Sequence, residues 1–176
     1  MTSEPALKTA INVYNFPPLV RTVRSRPLAG DVTFVLQIVA GDCDALRAAV
    51  LTTERSPGTI VAASTFFVEQ ILFAPESDCY RILGADKTAQ RTLLRGNMAL
   101  LLKWLHPDFG TDDIKARYAA NVTVAWNSLK TADRRLVYDQ QQSLLLKPAR
   151  SAARCDRATF VWRMWSLAAP GRKAIE

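Results

Sequence analysis

The sequence predicts an all-α protein, and three observations carry that prediction. Apolar residues recur at helical spacing in two long segments, 88–105 and 112–129, with matched stripes. Between Asp31 and Pro75, the residues that start and stop helices punctuate further apolar runs. The hydrophobic fraction of 49 % is ordinary for a globular chain, so wholesale disorder is not expected. A chain of 176 residues is long enough for one domain with appendages or for two small domains.

Residues 1–30 contain Pro5, Pro17, Pro18 and Pro27 and show no sustained helical period, which predicts an extended arm. Asn12–Phe16 is too short to assign as a strand. The next segment, 31–75, reads as an N-terminal helical region. Asp31 is placed to cap a short helix, Val32–Ala40, that stops at Gly41. Asp42 or Asp44 starts a second, in which Leu46, Ala49 and Val50 fall at i, i+3 and i+4. Ser56-Pro57 is an N-cap followed by a proline at the first helical position, and it opens a third helix that runs to about Ala74. Pro75 ends it. Ile60, Val61, Phe67, Val68, Ile71 and Leu72 give that helix an apolar face wide enough to be buried on more than one side.

Four more helical segments lie in residues 77–142. A short one runs from Ser77 or Asp78 to Leu83, with Gly84 as its left-handed stop. The second spans about Thr88–Leu105 and the third about Asp112–Leu129. The fourth runs from Thr131 to about Gln141. Leu94, Met98, Leu101 and Leu105 make one stripe along the second, and Tyr118, Val122, Ala125 and Leu129 repeat the spacing on the third. Two such helices, joined by a few residues, must pack as an antiparallel hairpin. Its connection opens on His106-Pro107-Asp108, where His106 is the single histidine of the chain. Pro107 ends the helix and stiffens the turn. Asp108 at an exposed tip is free to accept a bidentate arginine from a partner.

These landmarks carry a resemblance. Asp78-Cys79-Tyr80-Arg81-Ile82-Leu83-Gly84-Ala85 is similar to the opening Asp-Tyr-Tyr-x-Ile-Leu-Gly-Val of the J-domain, the module of DnaJ-type co-chaperones. The His-Pro-Asp follows at that family's distance. Ala125-Trp126-Asn127-Ser128-Leu129 resembles its Ala-Tyr-x-x-Leu, and Arg134-Arg135-Leu136-Val137-Tyr138-Asp139 its Lys-Arg-x-x-Tyr-Asp. About 65 of the 176 residues are covered. The resemblance implies a J-domain over 76–142: a helical hairpin with two short flanking helices. It also implies a function, in which the module recruits a 70-kDa heat-shock chaperone (DnaK-like) and stimulates its ATPase without catalysing anything itself. The implied chaperone-binding residues are His106, Pro107 and Asp108, with Arg95 and Lys103 on the second helix. That helix departs from the family: Gly96, Met98, Ala99 and Leu100 stand where Lys, Tyr, Lys and Arg are usual. Weaker electrostatic steering follows, and so does an alternative, a J-like interaction module that no longer stimulates the chaperone.

A second apolar stripe, Leu93, Leu100 and Trp104, lies about 110° around the wheel from the core stripe. Exposed apolar stripes usually mark a covered interface, and the helices of 31–75 are expected to pack on it. Tyr138 and Asp139 are expected to pack the fourth helix.

The net charge of +7 is unevenly spread: residues 1–76 carry 6 basic and 7 acidic side chains, 77–142 carry 10 and 7, and 143–176 carry 7 and 2. The basic excess therefore sits mainly in an aromatic tail, with Lys147, Arg150, Arg154, Arg157, Arg163, Arg172 and Lys173 around Phe160, Trp162 and Trp165. Within it, Arg157–Ala168 reads as a short amphipathic helix. Three readings of that tail stay open: a solvated segment, an anchor on an acidic membrane surface, or a nucleic-acid contact.

Cys43, Cys79 and Cys155 are far apart and form no Cys-x-x-Cys pair, so neither a zinc site nor a disulfide framework is expected. With no basic segment followed by an apolar run at the N-terminus and no span of bilayer length, the expected location is the cytoplasm. No Gly-rich phosphate loop, nucleophile–base pairing or cofactor motif accompanies His106, so an enzyme is not expected. The Gly/Phe-rich linker, zinc modules and β-sandwich domains of a full-length DnaJ are also missing from the sequence. The client is therefore specified by residues 1–75 or by the tail, and the sequence does not identify it.

Overall fold

The computed structural model describes residues 5–106 and 113–145, and every regular element among them is helical. The chain is all-α. In order the helices are α1 (Ala6–Asn15), α2 (Leu19–Arg24), α3 (Val32–Val39), α4 (Cys43–Thr53), α5 (Pro57–Phe67), α6 (Cys79–Ile82), α7 (Arg91–Trp104), α8 (Asp113–Leu129) and α9 (Ala132–Leu145).

The arm expected to be extended over 1–30 instead holds two helices within its described residues, 5–30. In α1, Leu7, Ala10 and Ile11 are buried at i, i+3 and i+4, together with Ala6, Thr9 and Val13. The prolines bound these helices rather than interrupt them. Pro5 precedes the first turn of α1, Pro17-Pro18 separates α1 from α2, and Pro27 follows α2. At 10 residues α1 is too short to be stable alone. It is held by packing on α5 and α3, and Ala6 N–H donates to the Gly30 carbonyl at 2.8 Å.

The 31–75 region folds much as its punctuation indicates. After α3 the chain closes a left-handed stop at Gly41 (φ 78°). Gly41 N–H donates to Ile38 O and Asp42 N–H to Gln37 O, which satisfies two carbonyls of the last turn. Asp42 caps α4 through bonds from the Asp44 and Ala45 amides, and Ser56 caps α5. Asp31 differs from expectation. Its side chain caps nothing, and its backbone is left-handed at φ 57°.

Beyond Phe67 the α5 helix loosens into a π turn, Val68–Leu72, closed by Phe73 N–H on Val68 O at 3.1 Å. The Gln70 carbonyl could be reached in π register only by residue 75, a proline with no N–H to give. The Arg24 guanidinium takes that carbonyl instead, Nε donating at 2.7 Å. Ile60, Ala63, Phe67, Val68, Ile71 and Leu72 are all buried, making this helix the centre of the N-terminal body, with α1, α3 and α4 around it.

The four helices expected in 77–142 are present. Asp78 caps α6 by accepting from Arg81 N–H at 2.8 Å. Gly84 (φ 62°) closes that helix, with Gly84 N–H on Arg81 O and Ala85 N–H on Tyr80 O. In the next turn the Asp86 carboxylate accepts from the Thr88 hydroxyl and amide, which hold it below the usual carboxylate range. The fourth helix, α9, extends past Gln141 to Leu145. Arg135 in its first half donates to the Tyr80 hydroxyl at 2.9 Å and to Ala89 O at 2.9 Å, with its guanidinium over the Tyr80 ring.

Described residues up to Leu136 form one compact unit, and a second begins at Val137. In the second, the Tyr138 hydroxyl accepts from Gln142 Nε2 at 3.2 Å. The tail readings for 147–173 fall on residues outside those described. No helix among the described residues is long and apolar enough to cross a membrane.

Gly84 lies close against α3 of the N-terminal body. A Cβ there would lie 2.8 Å from Val32 Cγ1 and 3.4 Å from Leu36 Cδ1, at a φ that L-residues seldom adopt. Gly84→Ala is expected to cost about 1–3 kcal/mol, seen as a lower urea midpoint with an unchanged slope.

Candidate functional site

The candidate site is the end of the α7–α8 hairpin where His106 stands. Leu94, Leu101 and Leu105 of one side and Val122, Ala125 and Leu129 of the other are buried, with Met98 and Tyr118 half-buried. Both expected stripes therefore face inward. The connection between the helices is short, so they run antiparallel. Leu105 N–H closes on Leu101 O at 3.0 Å and His106 N–H reaches Lys103 O at 3.4 Å, so the helical hydrogen bonding runs up to the histidine. His106 is exposed. Pro107 and Asp108 lie outside the described residues.

The N-terminal body braces this end. Phe73, the residue after the π turn, stacks on Tyr118 of α8 (centroids 4.4 Å, planes 9° apart) and on Trp104 of α7 (6.4 Å, 14°). Trp104 is two residues from His106, so this end of α7 rests against a side chain delivered from the end of α5. Loops are positioned best by rigid elements beneath them.

Farther along α7, Asn97 is wholly buried. Its Nδ2 donates to Leu83 O at 2.9 Å and Gly84 O at 3.2 Å, and its Oδ1 accepts from Thr33 Oγ1 of α3 at 2.8 Å. One side chain thus ties α3, the stop of α6 and α7 together. The expected covering of Leu93, Leu100 and Trp104 needs correction. The N-terminal body meets α7 through Thr33–Asn97 and Phe73–Trp104, Leu100 is half-buried, and Leu93 remains 41 % exposed. Leu93 lies beyond the strip that this body covers.

Arg95 and Lys103 are exposed on α7, as expected of a contacting face. Arg91, not foreseen, joins them. Residues 91, 95, 99 and 103 follow one another at four-residue steps, so Arg91, Arg95 and Lys103 share a ridge interrupted at Ala99. Extending the Arg95 row back by one turn would have found Arg91. Lys103, in the last turn, also complements the negative end of the helix dipole.

Among the described residues no group of three His, Cys, Asp or Glu side chains is arranged to hold a metal ion. The arrangement is a cationic ridge on α7 that runs toward the exposed His106, which suits docking to an acidic surface rather than enclosing a small molecule. No family model, curated protein or solved structure matches the chain.

Proposed function

We propose that the chain is a J-domain co-chaperone that recruits a 70-kDa heat-shock chaperone (DnaK-like) and stimulates its ATPase through His106, Pro107 and Asp108. The observation that carries this reading is the position of His106, exposed at the end of α7 in an antiparallel hairpin, with Arg91, Arg95 and Lys103 on the ridge of that same helix. The ridge steers an acidic partner and the loop engages it. Residues 1–75 or the basic segment 147–173 then select the client or the place, the latter through an acidic membrane surface or nucleic acid.

A second reading is favoured by the same helix. Gly96, Met98, Ala99 and Leu100 leave the ridge thin, which fits a J-like interaction module that no longer stimulates the chaperone.

Single-turnover ATP hydrolysis by a DnaK-like chaperone, with and without the full chain, separates the two. Stimulation that His106→Gln and Asp108→Asn both remove supports the co-chaperone. No stimulation by the wild-type chain, at concentrations where binding is demonstrated, overturns it in favour of the second reading.

A further inference from the structure

Away from the hairpin, arginines converge on a cleft that the co-chaperone reading does not use. A cavity of about 410 Å³ lies between the C-terminal end of α2 and the turn preceding α6, lined by Arg21, Arg24, Ser25, Glu76, Ser77 and Arg81. Three guanidinium groups against one carboxylate leave this lining with a local charge of +2.

Each arginine is held differently. Arg24 is fixed along one edge, Nε on Gln70 O and Nη2 on Gln70 Oε1, which pre-orients its plane. Arg81 gives Nη2 to the Arg26 carbonyl, while its Nη1 is buried with no acceptor. Burial pushes the Arg81 guanidinium below its ordinary pKa, and the Asp78 charge offsets this only in part. Arg21 is exposed at the rim and makes no side-chain hydrogen bond, so its guanidinium is available. The two serines add little donor capacity, since Ser25 Oγ donates to Thr22 O and Ser77 Oγ to Ile71 O.

Arg81 is half-buried with one N–H group left without an acceptor, and two further guanidinium groups line the same cleft, an arrangement that favours an anion between them. Planar guanidinium groups match the oxygen spacing of phosphate, and the volume suits a small ligand. We propose that this cleft binds a phosphate dianion, free or carried by a small phosphomonoester. Arg21 and Arg24 contact its oxygens, and Arg81 contributes positive field from the wall.

Calorimetric titration of the full chain with inorganic phosphate, glucose 6-phosphate and glucose, at fixed ionic strength, tests this. Saturable binding of a phosphate probe at one site per chain is expected, with none for glucose. Equal affinities would assign the site to free phosphate, and a tighter sugar phosphate to a phosphomonoester. Arg21→Glu should weaken binding roughly ten- to hundredfold, the value of a charge-assisted contact, and Arg81→Gln should weaken it by a smaller factor, the loss of field from the wall. Arg55→Gln, an exposed charge between α4 and α5, should leave it unchanged. No saturable binding, or binding undiminished in Arg21→Glu, overturns the proposal. Should the variants fold poorly, amide shifts in the wild-type chain decide. Phosphate must move Ser25 and Ser77, and shifts confined to other residues overturn it.

Discussion

Truncating Asn97 to alanine is expected to lower the unfolding free energy by about 3–5 kcal/mol, a large effect for a single substitution. Three groups lose their partner at once: the carbonyls of Leu83 and Gly84 and the hydroxyl of Thr33. Asn97 is fully buried, so water cannot replace it without opening the helix packing. Each stranded buried group costs about 1–3 kcal/mol, and relaxation keeps the total below the sum. Urea unfolding should show the midpoint falling with little change in slope. A loss under about 1 kcal/mol would mean that Thr33 and the α6 stop find other partners, and the idea of Asn97 as the tie between α3, α6 and α7 would fail. Asn97→Asp gives a check on mechanism. It retains an acceptor for Thr33 but removes both donors and buries a charge, so it should be no better tolerated than alanine.

Asn97 also shows where sequence reasoning stops. On the wheel it falls between the Leu94/Leu101 stripe and the Leu100/Trp104 stripe, a polar residue in an apolar sector. Periodicity flags such a residue but cannot name its partners, because Leu83, Gly84 and Thr33 reach it only through tertiary packing. The hairpin was legible because both stripes are long and its helices, at 14 and 17 residues, span several turns. The caps at Asp42, Ser56 and Asp78 were legible because they act within three residues of themselves. Helix α1 was not, since its period lasts three turns between prolines and its stability comes from α5 rather than from its own residues. Phe73 was hidden for a related reason. Its importance lies in its stacking on Tyr118 and Trp104, 45 and 31 positions away.

The proposed co-chaperone makes a sharper demand on α7, because loop and ridge should fail in different ways. His106→Gln and Asp108→Asn are expected to return ATP hydrolysis by the chaperone to its unstimulated rate. His106 is exposed, so for His106→Gln the melting temperature should stay within the shift of an ordinary surface change, about 0.5 kcal/mol. Loss of stimulation with intact folding places the effect at the partner. The ridge should respond in the opposite direction. A Cβ at Gly96 meets nothing within 4 Å and Ala99 is exposed, so Gly96→Lys with Ala99→Lys adds two charges without disturbing the packing. Replacing a mid-helix glycine also favours α7 by about 0.5–1 kcal/mol. Association with the chaperone should then speed up about tenfold at low salt and by much less at high salt, because added surface charge acts through screened attraction. Stopped-flow binding at two ionic strengths measures this. Combined with His106→Gln, the lysines should accelerate binding yet restore no ATPase stimulation, since steering brings the partners together and the loop acts on them afterwards. If the lysines restore stimulation in the His106→Gln background, His106 is not the effector and the proposed division between ridge and loop is wrong.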